Sequence, residues 1–209
     1  MTILSVLAAI SFSLLLGCQS SNESDFSSKK QRSAKPVKSK STDATEIFGR
    51  EVDGDPESLA AEIYDIPRGT RTVEILRDMD PIKILSADNI NVPEQDFSAG
   101  FPSMPDLQEW FGVRYRGTLI IEESGRHNFK MLADDGAKLF ISNQLIIDAD
   151  GIHPAVKKKG SIYLDTGHYD IEVLYFQGPK YQLGLQLFWM PPGASRMSII
   201  PASAFEELR

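Results

Sequence analysis

The chain is 209 residues long, 42% hydrophobic and 24% charged, with a formal net charge of −7 at pH 7. That length and apolar fraction allow one domain with a proper core, and the acidic balance argues against nucleic acid as a partner. Cys18 is the single cysteine, so the domain has no internal disulfide and depends on burial and its hydrogen-bonded ladder.

Ile3 to Leu16 is apolar apart from Ser5, Ser11 and Ser13. It is shorter than the roughly 20 residues a membrane span needs, and it fits a secretory signal. It ends Leu15-Leu16-Gly17-Cys18, which resembles the lipobox of bacterial lipoproteins. The resemblance implies a signal peptide over residues 1–17, cleavage before Cys18, a diacylglyceryl thioether on its sulfur and usually an acylated amine. Two or three chains hold a protein in a lipid bilayer stably where one does not. Residues 1–17 contain no Lys or Arg, and an ordinary cleaved signal or an uncleaved anchor is the other reading. Gln19, rather than Asp, follows Cys18; by resemblance to sorting in Gram-negative cells this implies a cell-envelope protein anchored in the outer membrane.

Residues 18–50 read as a tether. Serine is frequent, hydrophobic residues are scarce, and Lys29, Lys30, Arg32, Lys35, Lys38 and Lys40 outnumber Glu23, Asp25, Asp43 and Glu46. Such a segment does not bury enough apolar surface to fold. As a flexible coil it has a mean span of roughly 30 Å. A basic stem of this kind also rests favourably on anionic lipid, at about 1 kcal/mol per nearby charge.

Residues 56–205 carry the folded domain. Leu59 to Asp65 supplies a first strand, and short strands are expected at Val73–Leu76 and Ile82–Leu85. The Asp80-Pro81, Val92-Pro93, Phe101-Pro102 and Met104-Pro105 pairs then break any long element, so a loop crossing the sandwich is expected. Period-2 alternation follows at Gly112–Ile121, Arg126–Leu132, Ala137–Ser142, Leu145–Asp148, Ser161–Leu164, His168–Gln177 and Gln182–Met190. Asn143-Gln144 reads as a hairpin turn. Ser203 to Leu208 reads as a last helical turn. Many short strands with glycine-containing turns and no long helical pattern predict an all-β antiparallel sandwich.

Asp134-Asp135-Gly136 stands out between two of these strands. Adjacent carboxylates repel each other unless a cation relieves them, and a hard cation such as calcium takes several oxygen ligands from such a loop. The other reading is a plain turn, because Asp bonds its own backbone and Gly supplies positive φ. Asp148 and Asp150 either add oxygens to the same rim or form the Asp150-Gly151 turn.

The motifs from Trp110 to Gly193 then resemble the protective-antigen fourteen-kilodalton domain family, of anthrax protective antigen and yeast flocculins. They are Phe111-x-x-Arg114-x-x-Gly117, Ser124-Gly125-x-x-x-Phe129, Ala133-Asp134-Asp135-Gly136-Ala137-x-Leu139-x-Ile141, Ile147-Asp148, Gly160-x-Ile162-x-Leu164-x-x-Gly167-x-Tyr169, Tyr175-Phe176-Gln177-Gly178-Pro179 and Leu187-x-Trp189-x-x-Pro192-Gly193. The resemblance implies a β-sandwich, often described as barrel-like. It also implies calcium held by two consecutive Asp joined by a cis peptide, matching Asp134 and Asp135, and a second ligand loop near Gln177 to Gln182. There Gln177 or a backbone carbonyl takes the place of the family's Asn.

The remaining polar residues have plainer readings. His127 and His168 are expected on solvent faces, and His153 in a solvated loop; their spacing makes no transition-metal site. Trp110, Trp189 and Tyr175 are expected as core or rim packing. Lys157-Lys158-Lys159 reads as a solvated loop or, less favoured, a contact for anionic polymers. There is no G-x-S-x-G, P-loop, H-E-x-x-H or cysteine nucleophile. Glycosidic carboxylates flank their substrate at about 5 Å or more, which two adjacent Asp on one turn do not do, so the chain is expected not to be an enzyme. Two function classes stand: a calcium-assisted carbohydrate-binding lipoprotein whose partner is a glycan or cell-envelope polymer, and an envelope interaction module without sugar or metal.

Overall fold

The computed structural model describes residues 48–51 and 59–206. The strands are β1 (Phe48–Glu51), β2 (Leu59–Asp65), β3 (Lys83–Ala87), β4 (Asn91–Asp96), β5 (Phe111–Ile121), β6 (Gly125–Asp134), β7 (Gly136–Ile141), β8 (Gln144–Ala149), β9 (Val156–Leu164), β10 (Gly167–Gln177), β11 (Gln182–Met190) and β12 (Ser198–Ile199). They form two antiparallel sheets. One has seven strands in the order β1-β3-β2-β5-β10-β7-β8. The other has five, in the order β12-β11-β6-β9, with β4 also paired to β11. The sheets face each other as an open sandwich and do not close into a barrel. The signal peptide, Cys18 and most of the tether lie outside the described residues.

Alternation sets the layers. Phe129, Met131 and Ala133 of β6 and Leu183, Leu185 and Leu187 of β11 are buried against Val113, Tyr115, Val173 and Tyr175 of the seven-stranded sheet. Near one end of the sandwich the rings of Phe101, Phe111 and Tyr175 pack together, with centroids 5.2 and 6.1 Å apart. A second, smaller cluster lies on the outer side of the seven-stranded sheet and joins Tyr64, Ile66, Leu174 and Phe176 to Val73 and Leu76.

That second cluster explains one departure from the sequence reading. Val73–Leu76 is not a strand but part of a 3-10 helix, Val73–Asp78. Its start is capped by the Thr72 hydroxyl, which accepts the Glu74 N–H at 3.3 Å. Val73 and Leu76, three apart, share the buried side of a helix with three residues per turn. Gly112 makes this packing possible, because a Cβ there would collide with the Leu76 side chain.

Five other expectations shift. β4 forms where a crossing loop was expected, and it tolerates Pro93 because it pairs with β11 on one side only, with an irregular register. β9 begins at Val156, so the three lysines lie in an edge strand rather than a loop; charged side chains on a sheet edge read as loop in sequence because they serve to keep it from pairing further. His127 is buried, 1% exposed, with its ring 6.3 Å from that of Trp189. The β7–β8 turn is centred on Ser142 and Asn143, at φ 46° and 63°, one residue earlier than the sequence suggested. The final turn is a short 3-10 helix, Ala202–Ala204.

Gly160 fixes how closely the edge of one sheet approaches the other, since a Cβ there would collide with the Ile146 carbonyl of β8. Backbone does not yield as a side chain tip does. Gly160→Ala is therefore expected to lower unfolding stability by about 1–3 kcal/mol, read as a fall in the urea midpoint with an unchanged slope.

Candidate functional site

β6 belongs to the five-stranded sheet and β7 to the seven-stranded one, yet Asp135 alone separates them. The chain crosses the sandwich at this point. Asp134 is still paired with Gly184 of β11, and Gly136 is already paired with Phe176 of β10. Gly136 has no room for a side chain, because a Cβ would strike the Phe176 ring. The crossing leaves both carboxylates at one end of the sandwich, 5% and 4% exposed, and the Asp134–Asp135 peptide bond is cis.

Each part of the crossing is held by a named partner. The buried Tyr175 hydroxyl lies 2.6 Å from the Asp134 carbonyl oxygen and 2.8 Å from Gln177 Oε1, sharing its one proton between them. Burial, with the two carboxylates nearby, pushes the Tyr175 pKa well up, so the phenol stays a donor. Asp135 Oδ1 accepts the His153 N–H at 2.9 Å, and Oδ2 accepts the Gly178 N–H at 2.8 Å. Gln177 Nε2 reaches Asp135 Oδ2 at 3.4 Å and the Gln182 carbonyl at 3.0 Å. The loop from Gly178 to Tyr181 is thus tied back onto the carboxylate pair.

A cleft of about 370 Å³ opens here, lined by Asp134, Asp135, Ile152, His153, Pro154, Pro179, Tyr181 and Gln182. Tyr181 is 77% exposed and Ile152 is 40% exposed, so one border is apolar while the floor is anionic. No Lys or Arg among the described residues forms an ion pair with either carboxylate. Lys180 does not line the cleft; its ammonium lies over the Phe97 ring, 5.8 Å from the centroid. The cost shows in the pKa values. Burial first, and then repulsion from Asp135, raise Asp134 from the ordinary 3.8 to about 6. Burial also raises Asp135, opposed by the N–H groups of Gly178 and His153.

The other sequence-nominated residues lie elsewhere or act differently. Asp150 does not reach the cleft. Its Oδ1 accepts the N–H groups of Val73 and Gly151, both at 3.0 Å, and its Oδ2 takes the Thr72 hydroxyl proton at 2.6 Å and faces Lys138 at 3.2 Å. It holds the start of the 3-10 helix. Asp148 accepts the Asp150 N–H at 3.0 Å and sits 4.0 Å from Lys138. Gln177 turns its amide nitrogen, not its oxygen, toward Asp135, and so it braces the carboxylate instead of lending an oxygen to the cleft. His153 borders the cleft, with ring nitrogens 2.8 Å from the Ala149 carbonyl and 3.0 Å from the Pro154 carbonyl. Tyr181 and Ile152 were not singled out in the sequence; two large apolar side chains in polar loops flanking the Asp pair were the signal for them.

No group of three or more His, Cys, Asp or Glu among the described residues is arranged to hold a metal. The donor set nevertheless fits a hard divalent cation: two buried carboxylates have no cationic partner, and Gln182 lines the cleft beside them. Such a cation would complete its coordination with oxygens that are not carboxylates.

Comparison with known proteins agrees with this geometry. Residues 72–203 match the PA14 domain, and the chain belongs to that family. The anti-sigma-I factor RsgI3 of Acetivibrio thermocellus is 28% identical over 109 residues, covering 52% of this chain and 17% of that protein; the chain thus spans under a fifth of that relative's length. Among solved structures, the PA14 sugar-binding domain from an RTX adhesin is 17% identical with a TM-score of 0.61, over 74% of this chain and 100% of that one. The A domain of epithelial adhesin 9 from Candida glabrata, in complex with Galβ1-3GlcNAc, is 12% identical with a TM-score of 0.52, over 75% and 93%. At these identities the two adhesin structures show the shared fold.

The raised Asp134 pKa has a pH signature. In the unfolded chain the carboxyl ionises near 3.8, and in the folded one near 6. Below about pH 4 both states hold the proton and the buried pair costs nothing. As pH rises toward 6 the unfolded state releases its proton first and stability falls; above 6 the loss is complete. Urea unfolding in chelator from pH 4 to 7 is expected to show Asp134→Asn gaining on the parent by on the order of 1–2 kcal/mol across that window. Parallel curves for the two proteins would refute the account.

Proposed function

We propose that this PA14-family chain displays a carbohydrate-binding module in which the Asp134–Asp135 cleft receives a glycan with the help of calcium. The observation that carries this reading is a pair of buried carboxylates with no cationic partner beside an exposed Tyr181. Sugars present both hydroxyls and a C–H face, and the cleft offers an anionic floor and an apolar border to match. Calcium would neutralise the pair and accept ligand hydroxyl oxygens. The chain's own residues do the rest: His153 and Gly178 N–H groups fix Asp135, Tyr175 fixes the Asp134 carbonyl, and Tyr181 gives the ring surface. The two adhesin domains of the same fold, one sugar-binding and one in complex with a disaccharide, support the ligand class. Two adjacent carboxylates on one crossing suit binding, not glycosidic cleavage, which needs them on either side of the substrate.

The same reading places the module in the cell envelope. Acylated Cys18 anchors it, and the Ser- and Lys-rich segment holds it off the bilayer. The second reading, an envelope interaction module without sugar or metal, is favoured by one observation: no third carboxylate among the described residues is arranged with the pair to hold a metal, although Glu94 adds to the repulsion on Asp134.

Calorimetric titration of the metal-stripped full chain decides between them. The expected result is one saturable calcium site that Asp134→Asn and Asp135→Asn both abolish, together with glycan-array binding that chelator removes. Tyr181→Ala is expected to keep calcium binding and lose about 1 kcal/mol of glycan affinity. Absence of calcium binding, with array signals indifferent to chelator, would favour the interaction module. Separately, Cys18→Ser is expected to move the protein from the membrane to the soluble fraction on cell fractionation; a variant that stays with membranes would overturn lipid anchoring.

A further inference from the structure

We propose that the outer face of strands β6 and β9 is a second binding surface, specific for polyanionic polysaccharide. It is separate from the Asp134–Asp135 cleft and independent of calcium.

The register puts like charges together. Lys130 of β6 lies directly opposite Lys159 of β9, Arg126 opposite Tyr163, Asn128 opposite Ser161, and Leu132 opposite Lys157. Because His127, Phe129, Met131 and Ala133 point into the core, the alternate positions face outward. From Arg126 to Leu132 and on the facing residues of β9, that face carries Arg126, Lys130, Lys157 and Lys159, and its first acid is Asp134 at the end of β6, in a chain whose net charge is −7. Like charges directly opposite across an antiparallel pair are destabilising.

The contrast with the other sheet is informative. On the seven-stranded sheet and the 3-10 helix packed against it, four basic side chains are neutralised. Arg114 meets Glu172 at 2.7 Å, Arg77 meets Glu172 at 2.6 Å, Lys138 meets Glu74 at 2.8 Å, and Arg116 pairs with the buried Glu62. On the β6–β9 face, Lys157, Lys159 and Arg126 form no ion pair among the described residues. Arg126 donates to Ser161 Oγ at 3.1 Å, and the Lys130 ammonium sits 3.9 Å above the Phe188 ring. Edge protection accounts for charge on β9 but not for Lys159 lying directly opposite Lys130, and an anion that bridges the two relieves that pairing.

The form of the surface selects the anion. From Lys157 to Tyr163 the strip runs about 20 Å along β9, enough for several units of an extended polymer. A shallow cleft of about 390 Å³ beside it, bordered by Asn128, Lys159, Ser161, Met190 and Met197, offers an amide and a hydroxyl to neutral sugar hydroxyls. Tyr163, 62% exposed, provides a ring for stacking at the far end. A bilayer would want several apolar side chains to insert, and among the exposed large hydrophobics Tyr163 alone belongs to these strands; Ile82, Leu145, Ile152 and Tyr181 do not.

The test uses the full chain in detergent, with a fluorescent oligogalacturonate as the polyanionic probe. A neutral maltooligosaccharide, a duplex DNA and phosphatidylglycerol vesicles serve as comparisons. The expected result is binding of the oligogalacturonate alone, insensitive to chelator and to Asp135→Asn, and weakening steeply with salt. Lys157→Gln combined with Lys159→Gln is expected to lower the affinity about tenfold and flatten the salt dependence. Lys159→Glu is expected to abolish binding while raising the melting temperature, because it turns the clash with Lys130 into an opposite-charge pair. Wild-type affinity in the double variant would assign the binding to the basic stem instead and overturn the proposal. Equal binding of DNA or vesicles would do the same, as would no binding by the wild type. Since the expected binding ignores chelator and Asp135→Asn, its failure is distinguishable from failure of the calcium-site reading.

Discussion

The passage of the chain from one sheet to the other through a single residue is the constraint on which the site depends. β6 ends at Asp134 and β7 begins at Gly136, so no loop is available to carry the side chains out to water. The backbone on either side is committed to ladders in different sheets, through Gly184 and Phe176. Most turns let two neighbouring carboxylates swing into solvent. Here the ladders, the Phe176 ring against Gly136 and the Tyr175 phenol beneath the Asp134 carbonyl hold them at the mouth of the sandwich. Burial and proximity, imposed by topology, then raise the pKa values.

A buried anionic pair is expensive unless something answers it. The protein answers the pair only in part: the His153 and Gly178 N–H groups meet the two oxygens of Asp135, and the Ala155 N–H favours the charged form of Asp134. These donors are backbone groups, which fix position without cancelling charge. The loops bearing them are the same ones that put Pro154 and Tyr181 on the border of the cleft. Orientation of the carboxylates and the shape of the cleft are thereby one property. A substitution that loosens the 178–182 loop would disturb both together, whereas Tyr181, 77% exposed, touches shape alone.

Much of the sandwich was legible in the sequence because alternation reports burial directly. Gln182–Met190 and Leu59–Asp65 form strands with the expected bounds. Where two signals compete, the local pattern is ambiguous. Val73 and Ile75 are β-formers in a short apolar run, and Thr72 at a cap position, with Gly112 facing Leu76, decided for a 3-10 helix. Lys157–Lys159 show no apolar alternation of their own because an edge strand needs little, so their strand was hidden by the feature that protects it. His127 precedes Phe129 by two, so the alternation that buries one buries the other, and the period should have outweighed polarity. At the site, the Asp pair and its facing loop were legible by resemblance to a family. The roles of Asp148, Asp150 and Gln177 were not, because hydrogen bonds between distant segments, such as Asp150 to Thr72, leave no periodic trace.

Charge is distributed over this small sandwich in three distinct ways, and the differences bear on function. Across the seven-stranded sheet acids and bases alternate in register and cancel, as in Glu62 with Arg114 and Arg116; this is the ordinary use of surface charge. At the sheet crossing two acids are held together with no base, and from Arg126 to Leu132 of β6 and along the facing part of β9 bases are held together with no acid. An acidic chain that needed only solubility could have spread its lysines among its carboxylates, as it does at Lys138. Leucine or threonine opposite Lys130 would have stabilised the edge strand more than Lys159 does. Charge without an opposite partner lowers stability, and it persists in two places on the sheets. Charge held on a sheet backbone without a counter-charge suits a binding surface, since it leaves the electrostatic work to be completed by the ligand.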